Sequence, residues 1–293
     1  MASPIPLGTW PTPLEPAPRL AASIGLDHLW IKRDDLIGLG GGGNKVRKLQ
    51  YTCAEALAAG AATLITTGAP QSNHARLTAA AAARLGLRCV LVLAGKRPAA
   101  PRGNLILDEL AGAEIVWAGA ESLTQVVDAE VTKRYKPYVI PFGGSSPASA
   151  LGYVECAREI EAQLPDFDRV VVAVGSGGTM AGLVAELGPE RVVGVDTGAV
   201  RDARAVVASL LDDDVDPAEL QIDPAQVGAG YGKLTERVRE ALKLAARTEG
   251  LFLDPTYTGR AMASLIAGHI PRHGRTVFLH SGGLPGLFGH PEL

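Results

Sequence analysis

VVVAVGSGGTMAGL, residues 170–183, decides the fold class. Its first five residues, four of them valine, have the continuous apolar, β-branched character of a strand buried on both faces. Gly175-Ser176-Gly177-Gly178-Thr179 interrupts the strand, and a helical composition resumes directly afterwards. A buried strand running through glycines into a helix is half of a parallel βαβ unit. Two uses of the turn stay open: a phosphate cup, with backbone amides and the Ser176 and Thr179 hydroxyls as donors, or a plain structural turn. Met180 stands where G-x-G-x-x-G needs its last glycine, which argues against a dinucleotide.

The same alternation repeats outward from this segment. Strands are expected over residues 29–32, 63–67, 88–93, 114–117, 138–140, 170–174, 192–195 and 276–280. Helices are expected over 45–59, 74–85, 104–111, 123–134, 148–163, 179–187, 234–248 and 259–269. The class is therefore α/β, with two open parallel sheets and a ligand in the crevice between them. PFGGSSPAS, residues 141–149, marks the crossing between the two blocks, and the early strand in LWIKRDD, residues 29–35, returns to the second block. Residues 1–48 with 149–293 are expected to form the larger unit, and 49–148 the smaller one.

Charge narrows the partners. Twenty-eight Lys and Arg oppose 31 Asp and Glu, a formal net charge of −3, so no basic field exists to track nucleic acid or an anionic membrane. The first twenty residues lack a charged and then apolar leader, and no apolar run reaches the roughly 18 residues of a membrane span. Cys53, Cys89 and Cys156 show no C-x-x-C spacing and fit buried, reduced thiols in a cytoplasmic protein. Asp212, Asp214 and Asp216 alternate like calcium ligands, but Pro217 stands where such a loop needs glycine. A solvated loop without metal is expected there.

Five further segments carry candidate chemistry. GLGGGGNKVRKLQY, residues 38–51, fails as a Walker loop because Asn44 replaces its lysine. It leaves Lys45 at a helix start, where the positive helix end and the cations of Arg47 and Lys48 disfavour the ammonium form. A Schiff-base lysine fits, and so does a surface basic cluster. Ser72, Asn73 and His74 open the next helix, as a carboxylate site or as ordinary caps. GAGYGK (228–233) and DPTYTGRAM (254–262) place Tyr231 and Tyr257 beside glycines, for function or for packing. HSGGLPGLFG (280–289) places Ser281 after a buried strand, at the sheet edge where ligands sit.

Taken in order, GGNKVRKLQY, QSNH, GSGGTMAGL, GYG, DPTYTGRA and HSGGLPGLF resemble the D-cysteine desulfhydrase and 1-aminocyclopropane-1-carboxylate (ACC) deaminase family over residues 13–288. The resemblance implies a pyridoxal 5'-phosphate enzyme of the tryptophan-synthase-β fold type, a homodimer acting on a small amino acid. It implies a catalytic set of Lys45, Ser72, Tyr231 and Tyr257, with Lys45 bonded to the cofactor and moving the Cα proton. Lys45, Asn73, Gly175, Ser176, Gly177, Gly178, Thr179 and Ser281 would hold the cofactor, Asn73 at its phenolic oxygen and Ser281 at its ring nitrogen. Ser72, Asn73, His74, Tyr231 and Tyr257 would meet the substrate. D-Cysteine desulfhydration is the expected reaction, with L-cysteate sulfo-lysis, ACC deamination and cofactor binding without turnover as rivals. ACC deaminases of the family place a glutamate at the position of Thr258 and an apolar residue at that of Ser281, so ACC is expected to be a poor substrate here.

Overall fold

The computed structural model describes residues 3–211 and 215–293, so Asp212 and Asp214 of the acidic run lie outside the described residues. Ten strands are present among those residues: β1 (Leu14–Pro16), β2 (His28–Lys32), β3 (Thr63–Gly68), β4 (Arg88–Leu93), β5 (Glu114–Trp117), β6 (Pro137–Val139), β7 (Arg169–Val174), β8 (Val192–Asp196), β9 (Gln221–Asp223) and β10 (Arg275–Leu279). They form a six-stranded sheet in the order β1-β2-β10-β7-β8-β9 and a four-stranded sheet in the order β5-β4-β3-β6. All neighbours run parallel except the β1–β2 edge pair. The early strand does return to the second block: His28 pairs with Arg275 and Lys32 with Leu279.

Helices cover both faces of the sheets: α1 (Pro18–Ile24), α2 (Lys45–Ala58), α3 (Asn73–Leu85), α4 (Asn104–Leu110), α5 (Leu123–Lys133), α6 (Pro147–Gln163), α7 (Gly178–Leu187), α8 (Ala203–Ala208), α9 (Glu236–Glu249), α10 (Thr258–Ala267) and α11 (Leu284–Gly289). The period of two in β7 shows how the valine run is used. Val171 and Ala173 pack with α1, α9 and α10 on one face, while Val170, Val172 and Val174 pack with α6 and α7 on the other. Each fully buried valine contributes about 1.5–3 kcal/mol relative to exposure. In the smaller sheet Leu64, Leu91 and Leu93 face α2 and α3, and Ile65, Val90 and Val92 face α5.

Local chemistry sets the helix ends that matter for the cleft. Ser72 caps α3 by accepting from the Ala75 amide, and Gly86 closes it in the left-handed region. Ser146 and Ser149 form a reciprocal capping box ahead of α6, with Pro147 at its first position. The expected elements are all present, with ends displaced by one or two residues. The short β1, β9, α1, α8 and α11 were not expected. No described helix is long and apolar enough to cross a membrane.

Candidate active site

The C-terminal ends of β3, β7 and β10 and the start of α2 surround one cleft of about 830 Å3, its open mouth included. Lys45, Ser72, Asn73, His74, Gly175, Ser176, Gly177, Thr179, Tyr231, Tyr257 and Ser281 all line it. Gly178 stands behind the wall, where its amide donates to Ser145 Oγ at 3.3 Å. Six sequence segments from different parts of the chain thus converge where open α/β sheets bind ligands.

Lys45 is delivered by a backbone path that glycine alone traces easily. Gly40 to Gly43 have φ values of 53°, 80°, 76° and 125°, and a Cβ at Gly42 would overlap the Asp35 carbonyl oxygen. The Gly43 amide donates to the Asp34 carbonyl and the Asn44 amide to the Ser281 carbonyl, each at 3.0 Å, fixing the entry to α2. Lys45 Nζ donates to Asn44 Oδ1 at 3.2 Å. Burial pushes its pKa down to about 8; Asp254 opposes the shift and Arg76 adds to it. Arg76 thus replaces Arg47 as the neighbouring cation that matters. Arg47 bonds both Asp34 and Glu159 and stacks on Trp10 outside the cleft, so its charge is spent in that network.

The glycine turn after β7 has the chemistry of an anion cup. Gly177 has φ 82°, and although the Gly178 amide is engaged by Ser145, the Thr179 and Met180 amides of the first turn of α7 have no acceptor among the described residues. Ser176 Oγ lies 2.7 Å from Ser145 Oγ, to which Lys48 Nζ donates at 2.8 Å. Lys48 is buried, has no carboxylate within 4 Å among the described residues, and is held well below its ordinary pKa by burial and by Lys45. An anion in the cup would supply its missing counter-charge. Donors, hydroxyls and a buried unpaired cation fit the phosphate of pyridoxal phosphate, and Lys45 across the same cleft fits its aldehyde.

Around the rest of the wall each expected residue has a definite setting. Asn73 turns Oδ1 away from the cleft, accepting from Asn104 Nδ2 and Arg76 Nη2 at 3.1 and 3.3 Å. Ser72 caps α3 and also lines the cleft. His74 donates from Nε2 to Thr66 Oγ1, which itself donates to the Ile140 carbonyl; His74 Nδ1 is buried without a partner, and burial with Lys45 and Lys48 keeps the ring neutral. The Tyr231 and Tyr257 hydroxyls are 2.7 Å apart. Burial raises both phenols, so both stay protonated. Ser281 Oγ has no hydrogen-bond partner among the described residues. Thr258 does not line the cleft; its hydroxyl donates to Asp254 Oδ1, whose carboxylate also accepts the amides of residues 256–258.

Several contributors were outside the sequence reading. Asn44 and Phe142 line the cleft, Ser145 links Lys48 to the cup, and Arg260 donates to five backbone carbonyls, those of residues 197, 226, 227, 230 and 233, holding the loop that carries Tyr231. A glycine-rich flank signals Tyr231, but nothing near it in sequence signals its clamp.

Comparison with known proteins identifies the family. A family model described as pyridoxal-phosphate dependent enzyme matches residues 5–282. The chain is 42% identical to D-cysteine desulfhydrase of Klebsiella pneumoniae (strain 342), covering 97% of this chain and 95% of that one. A solved structure titled as an ACC deaminase homologue superposes with a TM-score of 0.87 at 38% identity, covering 99% of this chain and 95% of the other. A family model spanning most of the chain, a relative 42% identical over nearly its whole length and a shared fold show that the chain belongs to the family of pyridoxal-phosphate dependent enzymes.

Proposed function

We propose that the protein eliminates the β-substituent of a small D-amino acid, with D-cysteine and water giving pyruvate, hydrogen sulfide and ammonia. The observation that carries this reading is the composition of the cleft wall, in which no Asp or Glu occurs among the described residues. The cofactor supplies an electron sink for the charge that develops at Cα. Lys45 Nζ, with its lowered pKa, takes the Cα proton. Ser72 and the first amides of α3 receive the substrate carboxylate. The paired Tyr231 and Tyr257 hydroxyls, both protonated, sit to hand a proton to the departing sulfur.

The absent carboxylate bears on the substrate. Opposite the ring nitrogen the resemblance sets Ser281, and a neutral hydroxyl does not hold that nitrogen in its cationic form as a carboxylate would. A leaving thiol carries its electrons away, so a weaker sink suffices. Opening a cyclopropane offers no such group. The 42% identity to a D-cysteine desulfhydrase points the same way, while the likeness to an ACC deaminase homologue favours the second reading. Pyruvate release should be assayed over D- and L-cysteine, D- and L-serine, β-chloro-D-alanine and L-cysteate, with 2-oxobutanoate release from ACC. D-Cysteine is expected to lead; kcat/KM for ACC equal to that for D-cysteine would overturn the reading, and absence of any product would leave a cofactor-binding protein.

The same reading takes residues 1–48 and 149–293 as the cofactor-binding unit and 49–148 as a smaller one, with limited proteolysis as its test. Three buried free thiols support a cytoplasmic setting. Sedimentation tests the homodimer.

A further inference from the structure

Asn104 is fully buried at the start of α4 and does not line the cleft. Every hydrogen-bonding atom of its side chain is engaged. Oδ1 accepts from Arg76 Nε at 3.0 Å, while Nδ2 donates to the Gln71 carbonyl at 3.0 Å and to Asn73 Oδ1 at 3.1 Å. These partners leave no freedom in which way round the amide lies. A guanidinium only donates and a backbone carbonyl only accepts, so Oδ1 must face Arg76 and Nδ2 must face Gln71. The second Nδ2 hydrogen then falls on Asn73, which must present Oδ1 to it and to Arg76 Nη2. Asn73 is left with its own Nδ2 toward the cleft.

Arg76 anchors this chain of constraints. It is buried, has no carboxylate within 4 Å among the described residues, and directs Nη1 to the carbonyls of Gly40 and Gly42 in the loop ahead of Lys45. One guanidinium therefore ties the loop that delivers Lys45 to the asparagine pair behind the opposite wall.

We propose that Asn104 is a positioning residue: held by Arg76 and the Gln71 carbonyl, it fixes the Asn73 amide with nitrogen toward the cofactor's phenolic oxygen. This rests on the assignment of Asn73 as a donor to that oxygen. A donor there favours the deprotonated oxygen, so it lowers the pH at which the bound cofactor's visible band interconverts and tightens retention.

The test uses the holoenzyme of the full chain. Asn104→Asp keeps the shape and accepts from Arg76 but cannot donate, so its carboxylate draws the Asn73 nitrogen inward, against only the longer 3.3 Å contact from Arg76 Nη2, and oxygen is presented to the cleft. The pH midpoint of the visible band is expected to rise by about one unit, and the cofactor dissociation constant, measured on dilution, to rise about tenfold. Asn73→Ala should give changes at least as large, and the double variant no more than Asn73→Ala alone, because both act through one amide. If Asn73→Ala shifts the midpoint while Asn104→Asp does not, or if their effects add, the proposal falls and the assignment of Asn73 stands. If Asn73→Ala leaves midpoint and dissociation constant unchanged, both fall. Should Asn104→Asp not fold, Asn104→Ala frees the Asn73 amide to turn and should move the midpoint in the same direction by less; a folded Asn104→Ala protein with the parent midpoint overturns the proposal.

Discussion

Lys45 has to give up a proton near neutral pH, and the shift to about 8 that burial and Arg76 produce against Asp254 makes that feasible. Lys45→Ala should abolish turnover while the cup at Gly175–Thr179 still retains cofactor noncovalently. Borohydride reduction followed by peptide mapping should label Lys45; a label on Lys32 or Lys48 refutes the assignment. Tyr231→Phe and Tyr257→Phe should each lower kcat about 100- to 10,000-fold with the cofactor spectrum intact. Parent-like turnover in both would make them packing residues. Lys45, Asn73, Tyr231 and Ser281 were legible because each adjoins a glycine turn or a helix start, where polar side chains have few structural duties. Arg76 was not. In ARLTAAAAARLG (75–86) it reads as a surface cation on an alanine helix, and only the glycine loop folding over it from 34 residues upstream turns it into a buried clamp.

Helices α6 and α7 meet at Gly182, where an added Cβ would overlap the Ala150 carbonyl oxygen and lie 2.5 Å from Tyr153 Cβ. Gly182→Ala should therefore cost about 1–3 kcal/mol, since packed backbone cannot yield to a methyl group. Because α7 begins at the anion cup, the same substitution should weaken cofactor retention. A neutral control is Gly286→Ala, where a Cβ meets nothing within 4 Å. Thermal melts and dialysis check both effects, and parent-like behaviour of Gly182→Ala would show that the contact relaxes. Long periodic helices and valine-rich strands were readable because their apolar pattern is set by burial on known faces. Strand β9, Gln221–Asp223, carries no such pattern; it is a strand only because β8 offers it a ladder, a property of the neighbour.

At the scale of the whole molecule, Asp108 is a buried carboxyl whose ionisation couples folding to pH. Both of its oxygens are buried without partners among the described residues, and burial, against the pull of Arg76, pushes its pKa up to about 7. The folded carboxyl holds its proton between about pH 4 and 7 while the unfolded one releases it, so stability falls as pH rises through that window. Asp108→Asn should be more stable than the parent at pH 8 by about 2–4 kcal/mol, a gap that closes toward pH 4. Urea melts across this range decide it; a gap that widens on acidification would sink the argument. The parallel two-sheet architecture was legible from alternation alone. What alternation could not supply is strand order: the early strand is expected to join the second block, but its place between β1 and β10 is set only by the pairing itself.

That order matters on the ribosome. The four-stranded sheet closes once Val139 has emerged, all its strands lying between Thr63 and Val139, whereas β2 waits for Leu279 before its central partner is made. Until then a hydrophobic strand edge stands open, the condition under which nascent chains depend on chaperones. Stalled nascent chains should show protease resistance over residues 63–139 early, and over 28–32 only after residue 279 has left the exit tunnel. The cleft is likewise incomplete until β10 has emerged, because Ser281 and Gly282, which follow that strand, form part of its wall.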